Sequence, residues 1–449
     1  MSGLVDRLRA IVGPDHISTD ADVLASRSVD YTGRYRGSAG ALVRPGTPAE
    51  VAELLSTCRD AGEYVTVQGG RTSLVAGTVP EHGDVLLSTE RLSAISEVDL
   101  PERRIRAGAG ACLAAVQHAA GAAGLVFGVD LASRGSATVG GMASTNAGGL
   151  RTIRYGDMRE QILGIDIVLP DGSFVQRHSG ARCDNTGYDL TSLFVGAEGT
   201  LGVITGLELS LHPAPDHRIT ALCGFTELDA LIDCARRFAD TGDIAALELI
   251  DGRGAALAEE RLGIPIPVSS EWLLLIELAG SGDLAGRLAA GTDCANLAAD
   301  PAVGVDIVSQ QRLWRIRETT ADVVGLFGPP LKFDVSLPLS TIPSFADRST
   351  ALVATRAPAA IPVLFGHIGQ GNLHLNVLNC DSAAELHLYD EMLNLIAEQG
   401  GNISSEHGIG SRKRDYLGLS RQANDIAAMR RIKAAFDPTG YLNPAVLFA

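Results

Sequence analysis

Residues 131–150 read LASRGSATVGGMASTNAGGL. Glycines stand at 135, 140, 141, 148 and 149, and mostly small side chains fill the gaps. Backbone amides can converge on a pyrophosphate where no Cβ intrudes. Another such stretch, the first of the two in chain order, is QGGRTSLVAGTVP at 68–80, directly after the strand-like YVTVQ. Neither loop has the GxGxxG fingerprint of nicotinamide binders, and neither is GxxxxGK[ST], so the P-loop reading fails. Taken singly, either loop can also be a plain turn.

Around the first loop the pattern is β/α. ALVRP is a short strand, and TPAEVAELLSTCRDAG carries a helix with Thr47 as cap, Pro48 in the first turn and Gly62 as stop. DVLLST and RIRAGAG are further strands, and LAAVQHAAGAAG is helical. Beyond the second loop, ILGIDIVLPDGSFVQR reads as a hairpin turning at Asp171-Gly172. LGVITGLELSLHP is strand-like up to Pro213, and APDH reads as a linker, which places a boundary near 215. Strands at ITALCGFT and LLLIELAG with helices between them suit a ferredoxin-like α+β sheet. The divisions expected are an N-terminal helical segment at 1–37, a cofactor domain at 38–215, a substrate domain at 216–405 and a C-terminal segment at 406–449.

Composition narrows the class. A chain of 449 residues is too long for one simple core. The net charge of −16, from 37 basic and 53 acidic residues, argues against a nucleic-acid binder. It does not prevent a locally positive pocket for a small acid. Seven scattered cysteines include no CxxC pair, so neither a cysteine-zinc nor an iron-sulfur site is indicated. Reduced thiols fit a cytoplasmic protein. MSGLVDRLRAIVG lacks the apolar core of a secretory signal, and no run reaches the length of a membrane span. Peripheral docking at a membrane stays open.

The sharpest constellation lies far from the glycine loops. It comprises His367, His374, Asn376, Glu406 and His407. In HIGQGNLHLN, His374 and Asn376 alternate on a strand and so share one face. Two imidazoles and a carboxylate leave an open position on a divalent ion, the layout of a catalytic zinc site. Ten histidines in the chain also produce close pairs by chance, so spacing alone leaves both readings open.

The segments GGRTSLVAG, LASRGSATVGGMASTNAGGLRTIRYG, DNTGYDLTSLFVGAEGTLGVIT, WRIRE, KFDVSLP, GHIGQGNLHLN, SEHGIGSRKR and FDPTGYLNP follow one another along nearly the whole chain. Together they resemble flavoproteins with a vanillyl-alcohol-oxidase-type FAD domain. The branch is the one that contains D-lactate dehydrogenases, glycolate oxidase flavin subunits and D-2-hydroxyglutarate dehydrogenases. The resemblance implies an α+β fold: a two-part FAD-binding domain and a C-terminal ferredoxin-like substrate domain. It implies that Gly69, Gly70, Arg71, Thr72, Ser73 and Gly77 lie around the FAD pyrophosphate, with Gly135, Ser136, Gly140, Gly141, Thr145, Asn146 and Gly149 in the second phosphate and flavin segment. Glu198, Gly199 and Ile204 fall toward the adenosine and ribityl side, and Asn443 near the isoalloxazine. Some relatives attach the flavin through histidine; neither loop here has one, so a dissociable FAD is expected.

The same resemblance implies His367, His374 and Glu406 as metal ligands and His407 as the base. Zinc is the expected ion, with manganese or iron as alternatives for such an N/N/O site. Arg317 matches a substrate-binding arginine, Lys332 a lysine for a distal carboxylate, and Asn376 a substrate contact. Singly, Arg317 and Lys332 also read as solvent-facing charges. Three positions depart from the family pattern: Gln370 for an aspartate, Ala321 for a threonine and Cys183 for a lysine.

The implied reaction is oxidation of a D-2-hydroxy acid to its 2-oxo acid. Electrons would leave to an external acceptor such as an electron-transfer flavoprotein or a quinone. The alternatives are a glycolate- or D-lactate-oxidising subunit of a larger complex and a catalytically silent FAD binder. An ether-lipid synthase shares the FAD domain but not the His/His/Glu set. A homodimer stays open.

Overall fold

The computed structural model describes residues 2–178, 184–293 and 296–448. Cys183 lies outside them. The chain divides into two compact units. The first holds 1–148, 155–214 and 406–449; the second holds 149–154 and 215–405.

The first unit has two four-stranded sheets. In one, Ala39–Val43, Asp84–Ser88 and Val65–Gln68 run parallel in that order, and Ile17–Ser18 pairs antiparallel at the edge. The helix Pro48–Ala61 crosses from Ala39–Val43 to Val65–Gln68, the two strands that flank Asp84–Ser88. Thr47 accepts the Glu50 amide at its start, and Gly62 ends it in the left-handed region at φ 69°. Its Val51, Leu54, Leu55 and Cys58 enter a core shared with Leu4, Leu8 and Val12 of the helix Ser2–Val12. Burying each leucine stabilises by about 1.5–3 kcal/mol. The N-terminal helix is therefore part of this unit's core. Burial also pushes the Cys58 thiol up to about 12, so this cysteine packs as an inert apolar group.

The other sheet is antiparallel, in the order Arg104–Gly108, Val203–Ser210, Ile162–Val168 and Phe174–His178. The expected hairpin is there: Leu169 donates to the Ser173 carbonyl, and Gly172 turns at φ 86°. The C-terminal segment returns to the parallel sheet. Val65 donates to the Tyr441 carbonyl and Asn443 to the Val65 carbonyl. The basic run SRKRD at 411–415 packs within this unit. Lys413 is buried, Arg414 donates to the Ala445 carbonyl and sits 3.3 Å from Glu81, and the Arg412 guanidinium lies 5.6 Å from the Tyr35 ring.

The second unit is built on one antiparallel seven-stranded sheet. Its strands lie in the order Ala302–Gly304, His217–Phe225, Trp272–Gly280, Ile244–Asp251, Ile361–His367, Asn372–Leu378 and Leu331–Ser336. The first four take the 4-1-3-2 order of a ferredoxin-like sheet, with an added helix, Gly252–Leu262, between the second and third strands of the run. The last three repeat the first part of that pattern, and the halves join where Ile244–Asp251 pairs with Ile361–His367. Among the described residues, no helix is long and apolar enough to cross a membrane.

Candidate functional site

In the first unit the two glycine loops pack on each other. A Cβ on Gly69 would stand 2.5 Å from Thr138 Oγ1, and one on Gly70 only 2.0 Å from the Ser136 carbonyl oxygen. Thr138 caps the helix Val139–Thr145 by accepting the Gly141 amide. These glycines are thus required by the close approach of one loop to the other. Gly140 is required for a different reason, since its Cβ would meet Ala109 at 2.5 Å. Gly135 faces open space, with nothing within 4 Å of an added Cβ. Arg71 and Ala76 adopt positive φ within the first loop, and Arg71 Nη1 donates to the Ser26 carbonyl. Ser73 accepts the Val75 amide through its hydroxyl.

Glu198 ties several of the expected cofactor residues together. Its carboxylate accepts the Ile409 and Gly410 amides, each at 2.8 Å, and its carbonyl accepts Asn443 Nδ2 at 2.7 Å. Asn443 Oδ1 in turn accepts the Val67 amide at 2.8 Å. Burial pushes the Glu198 carboxyl up, while the two amides and the charge of Lys413 oppose that shift. A Cβ on Gly199 would meet Asn443 Nδ2 at 2.5 Å, whereas one on Gly77 would sit 3.6 Å from Gly410. Asn146 adopts φ 51° and spends its side chain on Asp157 and the Arg159 amide. Thr145 bonds back to its own helix, and Ile204 is a core residue. Gly149 falls in the second unit.

These loops fit a dinucleotide cofactor. Gly135 leaves its face of the second loop clear. Gln68, immediately before Gly69, is fully buried and its Oε1 has no hydrogen-bond partner among the described residues.

In the second unit, strand register gathers the chemistry-bearing residues on one face of the sheet. Lys332 pairs with Asn376, Asp334 with His374, and Ser336 with Asn372. His374 pairs in turn with Phe365, Asn372 with His367, and His367 with Glu248. Paired residues of an antiparallel sheet share a face, so all of these point the same way. The His367 and His374 rings meet edge-on, with centroids 5.4 Å apart. Asp334 Oδ1 lies 3.5 Å from His374 Nδ1, and the same carboxylate accepts the Ser405 amide at 3.0 Å. Asn372 is buried, and its Oδ1 has no hydrogen-bond partner among the described residues.

Arg317 reaches this face from the helix Ile307–Gly325, which Asp306 starts with a capping box. It is 4% exposed, so it is not a solvent-facing charge. Its Nε donates to Glu248 Oε2 at 2.7 Å, and its guanidinium lies 4.6 Å from the Phe365 ring centroid. Glu248 Oε1 is 2.6 Å from His367 Nδ1. Burial alone would push the Glu248 carboxyl up, but His367 and Arg317 hold it below the usual carboxylate range. Lys332 is largely enclosed, and burial pushes its ammonium down.

With Nδ1 of His367 directed at Glu248, a metal would be met by its Nε2, and a carboxylate behind a ligating histidine is the usual support. The donors of this face therefore fit a divalent ion. Ala321 packs against Val324, Val363 and Phe365. The neighbouring Thr319 and Thr320 hydroxyls donate to carbonyls of their own helix, so they are spent there. Gln370 is exposed in the turn Ile368–Gln370.

Glu406 and His407 follow Ser405 directly and belong to the first unit, with His407 Nε2 3.9 Å from Glu406 Oε1. Sequence reasoning missed Glu248 and Asp334. The only trace of Glu248 was an acid in the middle of the apolar run IAALELID, and Asp334 lay inside the quoted KFDVSLP.

The model for FAD linked oxidases, C-terminal domain, matches residues 214–447, and an FAD binding domain model matches 39–177. The chain is 36% identical to the mitochondrial D-2-hydroxyglutarate dehydrogenase of Bos taurus, over 96% of this chain and 81% of that protein. It is 31% identical to the D-2-hydroxyglutarate dehydrogenase of Stutzerimonas stutzeri (strain A1501), over 99% of each. Among solved structures it is similar to p-cresol methylhydroxylase with substrate bound, with a TM-score of 0.84 at 16% identity over 99% of this chain and 96% of that one. The 4-ethylphenol oxidase of Gulosibacter chungangensis gives 0.81 at 18% identity over 100% and 97%. These two likenesses concern the fold alone, and they agree with the vanillyl-alcohol-oxidase type read from the glycine loops. From the paired glycine loops, the ferredoxin-like sheet and these matches together, the chain belongs to the FAD-linked oxidases, in the branch that includes the D-2-hydroxyglutarate dehydrogenases.

Proposed function

We propose that this protein oxidises a D-2-hydroxy acid, with D-2-hydroxyglutarate as the leading substrate, to the 2-oxo acid. The observation that carries the reading is the polar sheet face, which sets two histidines beside a buried arginine, a lysine and an asparagine. Relatives named for D-2-hydroxyglutarate support the same choice. When bound, a dissociable FAD would accept the hydride from C2, and a divalent ion, zinc first and manganese or iron as alternatives, would acidify the substrate hydroxyl.

His367 and His374 would hold the ion. Glu406 would be the third ligand: it follows Ser405, whose amide Asp334 anchors beside His374. His407 would take the hydroxyl proton. Arg317 would bind a substrate carboxylate with its fork, while Lys332 and Asn376, paired across adjacent strands, would take the distal group. Gly69, Gly70, Thr72, Ser73, Gly77, Gly135, Ser136, Gly140 and Gly141 would line or shape the FAD cradle, and Glu198 and Asn443 would hold its loops. Electrons would pass to an external acceptor, an electron-transfer flavoprotein or a quinone, in a cytoplasmic setting.

The test is anaerobic bleaching of the flavin's visible band across D- and L-2-hydroxy acids. Bleaching by a D-acid that stops on chelation is expected. A flavin- and zinc-loaded protein that every acid leaves oxidised would point to a silent FAD binder.

A further inference from the structure

We infer that Glu248 is a positioning residue that fixes His367 and Arg317 together, so that metal retention and substrate-carboxylate binding depend on one buried carboxylate. The inference rests on the metal reading above and adds a residue to it. Glu248 is fully buried in the middle of the seven-stranded sheet, on the strand that joins its two halves. Its two oxygens are divided. Oε1 meets His367 Nδ1 at 2.6 Å, and Oε2 accepts Arg317 Nε at 2.7 Å.

The geometry gives each partner one orientation. Occupying Nδ1 fixes the imidazole tautomer and leaves Nε2 as the metal-facing nitrogen. Holding Nε, with Phe365 under the guanidinium, sets the plane of the arginine fork. The pair is linked through the acid itself, because a carboxylate can accept from both donors at once. An amide cannot: whichever way glutamine turns, its NH₂ group faces one of the two donors. Replacing Glu248 with glutamine therefore keeps the side-chain volume but sets a donor against one partner and leaves the other only an uncharged acceptor.

A buried acid can also matter for folding alone, and the same sheet supplies the control. Glu277 is equally buried and is held by Arg151 at 2.8 Å, Arg218 at 3.0 Å and Trp314 Nε1 at 2.7 Å, and its carboxylate too is held below the usual range. None of these partners is a histidine.

The experiment compares zinc affinity, by competition with a chromophoric chelator, and thermal stability in the full-length wild type, E248Q and E277Q. Both variants are expected to melt earlier. E248Q should lose roughly 10–100-fold in zinc affinity, while E277Q keeps the wild-type value. Unchanged zinc affinity in E248Q, or an equal loss in E277Q, would overturn the inference. If E248Q does not fold, the double variant E248M/R317M removes the buried acid together with its cationic partner and leaves His367 Nδ1 without that acceptor. Its zinc affinity should then fall below that of R317M, and equality between the two would overturn the inference. A folded wild type that takes up no zinc instead overturns the metal reading itself, so the two failures are distinguishable.

Discussion

His374 and Asp334 face each other across a register pair of adjacent antiparallel strands, with Nδ1 3.5 Å from Oδ1. The same carboxylate accepts the Ser405 amide at 3.0 Å. Asp334 thus sits beside a histidine and also anchors Ser405, from which the chain continues into Glu406 and His407. Asp334→Ala should weaken zinc binding by about 10–100-fold and slow flavin bleaching with it. Chelator competition reads the first effect and stopped-flow absorbance the second. Wild-type values for both would remove Asp334 from the site.

His407→Ala removes only the proposed base. The rate of flavin reduction by the best D-acid should fall by about 10²–10⁴-fold, with zinc and FAD content unchanged. Metal analysis beside single-turnover kinetics checks this, and loss of zinc would recast His407 as a ligand.

Lys332 separates one substrate class from another. Lys332→Met should raise KM for dicarboxylic D-2-hydroxy acids by roughly 10-fold, the effect of one lost charge-assisted bond of about 1.5 kcal/mol, and leave D-lactate unaffected. The pH dependence has a definite sign. Burial lowers the Lys332 pKa, so its ammonium is lost at lower pH than an ordinary lysine's as pH rises. KM for the dicarboxylic acid in the wild type should therefore climb on the alkaline side, and this limb should vanish in the variant.

Gly135 and Gly70 make opposite predictions. Gly135→Ala meets no protein atom, so the apoprotein should keep its melting temperature while FAD binding weakens if the cofactor approaches there. Gly70→Ala drives a Cβ onto the Ser136 carbonyl and should destabilise the apoprotein itself by about 1–3 kcal/mol. Calorimetry of both apoproteins and a flavin titration distinguish the two roles. Tight FAD binding by the Gly135 variant would place the cofactor elsewhere.

Acid stability follows from Glu248 and Glu277. Both folded pKa values are held below the unfolded value of about 4.3. Their contribution is therefore full above that value and is lost as pH falls through the lower folded values. Melting temperature should drop with pH below the ordinary carboxylate range, and less steeply in E277Q than in wild type.

Local chemistry was legible in the chain. Thr47 and Gly62 bound a helix because their side-chain and backbone preferences act within a few residues. The Asp171-Gly172 turn and the shared face of His374 and Asn376 follow from equally short-range rules. The order of the glycine loops and the His, Asn and Glu-His motifs was enough to show the family. Why each glycine is there was not legible. Gly69 and Gly70 answer to the opposite loop and Gly140 to Ala109, while Gly135 alone of these has clear space.

The partners of the site residues were decided only by tertiary structure. Glu248 stands 119 positions from His367 and 69 from Arg317, and no spacing rule joins them. The strand Ile244–Asp251 is buried throughout its length, so the acid at its middle, Glu248, carried no periodic signal. Sheet register then set Glu248 opposite His367 and Asp334 opposite His374. A buried carboxylate needs donors, and it takes them from whichever strands and helices the fold brings alongside. The sequence by itself determined which groups could do the chemistry; the pairing of strands decided which carboxylate holds each of them in place.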